Sequence, residues 1–113
     1  MATEFQIFTK WEQFLKWLLN TTDKFPKKIR FTLTTRIDNL ALDILERIIM
    51  CRYDPSIRQR GLKRINIDIE TLRVLLRVCN QLKYLSHRQY QYAVLHVNEV
   101  GKMIWGWSKE KST

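Results

Sequence analysis

Glycine and proline are scarce in this sequence, with three and two residues respectively. All-β sandwiches and barrels use these residue types in their many turns, so their scarcity disfavours such folds and favours helices. Long apolar runs are also missing, the longest being residues 17–19 and 48–51. A membrane-spanning helix needs roughly 20 apolar residues. The sequence therefore predicts no transmembrane segment and no membrane partner.

Signals for secretion and for catalysis are missing as well. The first residues carry Glu4 and Lys10 among scattered aromatic side chains, whereas a secretion signal has a basic start and a continuous apolar stretch. We therefore expect a cytoplasmic protein. The sequence has no glycine-rich phosphate loop and no nucleophile with a matching base. His96 is better interpreted as a surface or boundary residue than as a catalytic base, so we expect no enzymatic activity and no small-molecule substrate.

Acidic residues are a minority, with 11 aspartates and glutamates against 20 lysines and arginines. The formal net charge is +9 and the sequence pI is about 9.9. A surface of this charge attracts polyanions and repels its own copies at low salt. The expected partners are therefore RNA, DNA or an acidic protein surface.

Apolar residues recur at spacings of three and four in four segments, each of which predicts an amphipathic helix. The predicted helices run from about Thr3 to Thr22, from just after Pro26 to about Tyr53, from between Ser56 and Arg64 to about Leu85, and from near His87 to about Lys109. Ser86 and Gln89 match a capping box before the last helix. Residues 31–35 and 65–69 alternate like short strands, but the helical register around them outweighs that pattern.

The connections between these helices are short, which predicts one all-α domain over residues 1–113 folded as an antiparallel up-down-up-down four-helix bundle. The predicted core consists of Ile7, Trp11, Phe14, Leu15, Leu18, Ile29, Leu33, Ile37, Leu40, Ile44, Ile48, Ile65, Ile69, Leu72, Leu75, Leu76, Cys79, Leu82, Tyr90, Ala93, Val94, Val97, Gly101, Ile104 and Trp107. Cys51 and Cys79 lie on the order of 30 Å apart in this topology at 1.5 Å per residue. They are expected to be buried free thiols, and with His87 and His96 they lack the spacing of a zinc site, so no metal or other cofactor is expected.

Basic residues cluster in two segments that contain no carboxylate. The first comprises Lys24, Lys27, Lys28, Arg30 and Arg36, and the second Arg58, Arg60, Lys63 and Arg64. In the predicted topology the first group shares one end of the bundle with Lys83, His87 and Arg88, and the second lies at the other end. Such clusters can neutralise phosphates, although a solvated face that aids solubility is the alternative.

Two further sets of residues are candidates for binding. Arg73 and Arg77, four residues apart on one helix face, could hold a phosphate or carboxylate with their forked donors, or could pair with Glu70. Trp11, Phe14, Tyr90 and Trp107 lie on the core stripes and are interpreted as packing residues. Apolar residues outside those stripes predict a surface buried against another subunit; they are Phe5, Trp17, Tyr92, Leu95 and Met103.

Several short motifs occur together in a characteristic order. They are Phe25-Pro26-Lys27-Lys28, Phe31-Thr32-Leu33 before Arg36, the stretch ending in Leu45-Glu46, Arg52-Tyr53, Leu72-Arg73 with Arg77, and Glu99-Val100-Gly101 up to Gly106-Trp107-Ser108-Lys109. In these motifs the chain resembles, over nearly its whole length, the accessory variability determinant (Avd) proteins of diversity-generating retroelements. These proteins belong to a wider four-helix-bundle family that includes proteins encoded by 23S ribosomal RNA intervening sequences. Residues 50–53 lack the Asn-Ile-Ala-Glu-Gly-like stretch of the intervening-sequence branch, which favours Avd.

The resemblance implies a basic, barrel-like homopentamer that associates with the element's reverse transcriptase and template RNA. In such elements the accessory protein supports error-prone cDNA synthesis, and the polymerase performs the chemistry. The clustered basic residues would then contact template RNA, cDNA or polymerase. The alternative is an intervening-sequence-type bundle that acts as a structural oligomer or binds an acidic protein.

Overall fold

The computed structural model describes residues 4–110, which fold into four α-helices. These are α1 (Glu4–Thr22), α2 (Thr35–Tyr53), α3 (Arg58–Gln81) and α4 (His87–Ser108). Each helix packs against its neighbours in sequence, and α4 packs back against α1. The predicted all-α, up-down-up-down bundle is confirmed, and the described residues contain no strand. The predicted start of the first helix at Thr3 lies outside these residues.

The second helix does not begin as an α-helix just after Pro26, as predicted. A 3-10 turn covers Lys27–Ile29 and a π-helical turn covers Arg30–Thr34 before α2 starts. Threonine hydroxyls stabilise this wider turn, because Thr35 Oγ1 donates to the Arg30 carbonyl at 2.5 Å. The turn leaves Leu33 only half-buried and exposes 89% of Phe31.

The third helix ends at Gln81 and not near Leu85, so that prediction and the assignment of Leu82 to the core were both wrong. Lys83 adopts a left-handed conformation with a φ of 68°. The Tyr84 amide then donates to the Cys79 carbonyl at 2.8 Å, which closes the helix in a Schellman-type motif. Leu82 is consequently exposed, and the buried Leu85 takes its place in the core.

The capping box at the start of α4 is confirmed. Ser86 Oγ accepts a hydrogen bond from the Gln89 amide at 3.1 Å, and Gln89 Oε1 accepts one from the Ser86 amide at 2.9 Å. These bonds satisfy backbone donors that a helix start leaves unpaired, so α4 begins within one residue of the capping serine.

The core fills the centre of the bundle, and most of the predicted apolar stripe residues are buried in it. Leu33, Leu75, Tyr90, Val94 and Gly101 are only partly buried. Cys51 and Cys79 are buried free thiols, as predicted. None of the described helices combines the length and the apolar character that crossing a membrane requires.

A buried carboxylate joins α2 to α3. Asp68 is 2% exposed, and its Oδ2 accepts from Arg47 Nη1 at 2.5 Å, while Arg64 Nε lies 3.2 Å from Oδ1. About two turns closer to the start of α3, Gly61 allows a close approach of the two helices. A Cβ at this position would stand only 2.4 Å from Cys51 Sγ.

Candidate nucleic-acid interface

The connection after α1 and the connection before α4 meet at one end of the bundle, where the Phe25 and Tyr84 rings lie 6.1 Å apart. Seven cationic side chains occur in the segments at this end of the bundle, and all of them are exposed. We call them the basic end: Lys24, Lys27, Lys28, Arg30, Arg36, Lys83 and Arg88. The structure thus brings together the first predicted cluster and the two basic residues near the start of α4.

The basic end is poorly neutralised by the protein itself. None of its seven side chains forms an ion pair within residues 4–110. The carboxylates nearest in the chain are Asp23 and Asp38, so the seven cations leave an excess of five positive charges. Burial raises the pKa of Asp38, Asp23 adds to that rise, and a hydrogen bond from Thr22 opposes it. These three effects concern the Asp38 carboxyl alone. The excess positive charge at this end faces solvent.

The second predicted cluster lies at the opposite end and is partly used for folding. Arg58 donates from Nε to the Cys51 carbonyl at 2.8 Å, and its guanidinium lies 5.4 Å from the centre of the Trp107 ring. Arg64 pairs with buried Asp68. Arg60 and Lys63 are exposed and remain the freer members of this group.

Arg73 makes the pairing that the sequence left open as an alternative. Its Nη1 lies 2.8 Å from Glu70 Oε2, and its Nε donates to Asn98 Oδ1 of α4 at 2.7 Å. Arg77, one turn further along α3, is exposed. The two arginines therefore differ, since Arg73 is held in place and Arg77 extends into solvent.

The five apolar residues predicted for a subunit interface do not form one patch. Trp17 of α1 packs on Tyr92 of α4 with ring centroids 4.6 Å apart, and Leu95 is 66% exposed on the next turn of α4. Met103 packs against the core from further along α4. Phe5 lies near α2 instead, with the Arg52 guanidinium 5.6 Å from its ring. The seam between α1 and α4 is thus the more continuous apolar surface of the set.

Sequence reasoning missed three exposed aromatic residues, Phe31, Tyr53 and Trp105. Phe31 is exposed because of the π-helical turn, which the sequence pattern does not reveal. Trp105 is 59% exposed and faces the groove between α3 and α4. It follows buried Ile104 and is rotated about 100° from it around the helix, a position that the stripe of core residues could have indicated.

The structure offers charged and apolar surfaces to which a partner could bind. The thiols are poor nucleophiles, because burial raises the pKa of Cys51 and raises that of Cys79 to about 11. Among the residues that the structure describes, no three His, Cys, Asp or Glu side chains group as metal ligands would. The features that remain available to a partner are the basic end, the seam between α1 and α4, and the groove between α3 and α4.

The sequence matches the bAvd-like family over residues 5–111, which is nearly the whole chain. No curated protein matches it. The four-helix bundle described above agrees with the fold that the Avd resemblance implies. The chain belongs to the bAvd-like family.

Proposed function

We propose that this protein is a non-enzymatic accessory protein of a diversity-generating retroelement. It binds nucleic acid, both template RNA and cDNA, and it binds the element's reverse transcriptase in the cytoplasm. Membership of the bAvd-like family supports the accessory role. The single observation that carries nucleic-acid binding is the basic end, where seven exposed cations lack ion-pair partners within residues 4–110.

The physical basis of this binding is counterion release. Each cation that neutralises a phosphate frees a condensed counterion, so affinity depends steeply on salt and weakly on base sequence. Sequence-tolerant contact suits an accessory protein that follows a template through polymerisation. The basic end lies at one tip of a molecule that measures 49 × 24 × 19 Å, which leaves the long sides free for protein contacts.

We also propose that the protein forms a homo-oligomer, a pentamer by the Avd resemblance. Trp17, Tyr92 and Leu95 on the seam between α1 and α4 support an interface there, because large apolar side chains are partly exposed side by side. Copies associated in parallel along this seam would place their basic ends at the same side of the assembly. Several weak phosphate contacts would then act together.

Charge-neutralising variants test the nucleic-acid contact. The basic-end variant changes Lys27 and Lys28 to glutamine, and the control changes two exposed lysines outside both predicted clusters, Lys10 and Lys16. Binding of a single-stranded RNA is titrated over a range of salt, with circular dichroism to verify the helical fold. Loss of two phosphate contacts lowers the slope of log affinity against log salt by about 1.4. We expect this loss in the basic-end variant and a smaller one in the control.

Equal losses in the two variants would mean that affinity follows total charge, which contradicts a contact at the basic end. A second measurement is co-purification with the cognate reverse transcriptase, followed by light scattering of the complex. Salt-sensitive binding to an acidic protein, with no retention of RNA or DNA at about 50 mM salt, would contradict the proposal. That result would favour the alternative of a structural or acidic-protein-binding bundle.

A further inference from the structure

A groove of about 640 Å³ runs between α3 and α4, away from the basic end. From α3 it is lined by Asn66, Ile69, Glu70 and Arg73, and from α4 by Asn98, Gly101, Lys102 and Trp105. Its walls thus combine side-chain amides, cations and one large aromatic ring. This combination differs from the apolar seam between α1 and α4 and from the basic end.

Arg73 is fixed on the floor of the groove. Gly101 has no Cβ, and an added one would stand 2.9 Å from Arg73 Nη2, so the guanidinium can lie directly over the α4 backbone. Arg73 Nη1 donates a hydrogen bond to Glu70 Oε2 at 2.8 Å and Nε donates one to Asn98 Oδ1 at 2.7 Å, and these bonds hold the guanidinium there. A guanidinium that is already positioned loses little conformational entropy when a ligand binds.

Trp105 provides an aromatic surface beside this guanidinium. Its side chain is 59% exposed, and Lys109 Nζ lies 4.8 Å from the ring centroid. Lys102 is exposed on the same helix. The three cations around the groove, Arg73, Lys102 and Lys109, outnumber the single carboxylate of Glu70. The indole therefore lies beside Lys109 in a groove of net positive charge, whereas the centre of a protein–protein interface is depleted of charged residues.

We propose that this groove binds single-stranded nucleic acid, with one base stacked on Trp105 and adjacent phosphates held by Lys102 and Arg73. Proteins that bind single strands combine an aromatic platform with a cationic groove in this way. A base in a duplex is stacked on both faces and cannot reach the indole, so the site selects unpaired strands. The inference rests on the proposed function and adds to it a second contact that depends on bases as well as phosphates.

Two comparisons test this site. One is between the wild type and Trp105→Leu, and the other is between a strand with bases and an abasic strand. Three probes are titrated at about 50 mM salt: a single strand of about 12 nucleotides, a strand of equal length made of abasic residues, and the corresponding duplex. Stacking of one base contributes about 1–3 kcal/mol, so Trp105→Leu weakens single-strand binding by about 5- to 150-fold. Binding of the abasic strand and the duplex stays within about twofold of the wild type, and Trp105→Phe retains most of the affinity, since a phenyl ring still stacks.

Tyr53→Leu is the matched control, because Tyr53 is a more exposed aromatic that also lies beside a cation, Arg52. We expect this variant to bind all three probes as the wild type does. An equal loss in Tyr53→Leu, or equal binding of base-bearing and abasic strands by the wild type, would overturn the inference. The inference would also be overturned if Trp105→Leu changed the mass of the oligomer in light scattering but left single-strand affinity unchanged. That result would assign Trp105 to contact with a second copy.

The two proposals fail in different ways. If the wild type binds none of the probes, the proposed function itself is wrong. If the wild type binds all three probes equally and the basic-end variant weakens all of them, nucleic-acid binding stands and only the Trp105 site is refuted. A competition experiment with polyglutamate provides a further test. If polyglutamate displaced the single strand from the wild type but not from Trp105→Leu, the Trp105 site would be refuted in favour of a site for an acidic protein.

Discussion

Arg73 and Gly101 are in direct contact across the interface of α3 and α4, where a Cβ on residue 101 would stand 2.9 Å from Arg73 Nη2. The atom that would have to move is the end of a flexible side chain, so the protein can accommodate alanine at position 101 by displacing the guanidinium. A substitution at position 101 should therefore displace the Arg73 guanidinium with little effect on the stability of the bundle.

We predict that Gly101→Ala changes the free energy of unfolding by less than about 1 kcal/mol, because the gain in helix propensity offsets the displacement of Arg73. Single-strand affinity should fall, since the groove loses its fixed cation. Gly106→Ala is the control, because no atom lies within 4 Å of its added Cβ; it should stabilise the protein by about 0.5–1 kcal/mol and leave binding unchanged. Urea denaturation and strand titration measure both effects, and unaltered binding by Gly101→Ala would contradict the prediction.

Gly61→Ala should be much more harmful than either of these changes. The added Cβ would stand 2.4 Å from the sulfur of Cys51, which is fully buried and ends a short side chain. Overpacking of this kind costs about 1–3 kcal/mol. In urea denaturation, Cys51→Ala should restore part of this loss when combined with Gly61→Ala, since it removes the sulfur. Additive losses in the double variant would show that the two residues do not clash.

Lys83→Gly should stabilise the protein, because Lys83 is the non-glycine residue with positive φ in the described chain. A side chain in the left-handed region costs about 1 kcal/mol relative to glycine. Lys83→Ala removes the same charge but keeps the Cβ, so it should give no such gain. Thermal unfolding of the two variants measures the difference, and equal midpoints would indicate that the conformation carries no cost.

The two arginines that pair with Asp68 should contribute unequally. The Arg47 side chain is 33% exposed and that of Arg64 is 59% exposed, while the carboxylate is 3% exposed. Arg47→Met should cost about 3 kcal/mol, because it leaves a buried carboxylate with a single partner, the more exposed Arg64. Arg64→Met should cost less than about 1 kcal/mol, because the Arg64 side chain is largely exposed to solvent that screens its charge, and Arg47 still pairs with the carboxylate. Urea denaturation of both variants tests this order, and a larger loss for Arg64→Met would contradict it.

The thiol of Cys79 should make stability depend on pH in the alkaline range. Burial raises its pKa from the ordinary 9.0 to about 11, so the folded state favours the neutral thiol. The corresponding stability is present below pH 9 and is lost as pH rises through about 11. Cys79→Val should show a shallower fall of unfolding free energy over this interval. At pH 8 the native thiols should resist alkylation and react only as the protein unfolds; rapid modification of the folded protein would contradict this.

The periodicity of apolar residues was sufficient to predict the bundle, its topology and most of its core, because each stripe is long and regular. The ends of helices were harder to predict. Lys83 ends α3 without the glycine that usually occupies a left-handed position. The π-helical turn at Arg30–Thr34 depends on hydroxyl groups that bond to backbone carbonyls, and their partners are known only from the fold.

The candidate site, too, could be predicted only in part. The sequence placed the basic end correctly, because the topology determines which segments meet there. It could not show that Arg58 caps the end of α2, because that contact forms across the turn between α2 and α3. Nor could it show that Arg73 bonds to Asn98, because these residues lie far apart in the sequence. Trp105 escaped notice because a tryptophan near a core stripe is usually buried, and its exposure depends on the width of the groove.

The Trp17 and Tyr92 rings meet between α1 and α4, a pair of packed helices that are not consecutive in sequence. The other three seams join consecutive helices, so their loop-closure entropy is small and they can form early. The seam between α1 and α4 brings together residues 75 positions apart and carries the largest entropic cost of the fold. Folding kinetics should therefore report on this seam: we expect substitutions in it to alter mainly the rate of unfolding, and those between consecutive helices to slow folding.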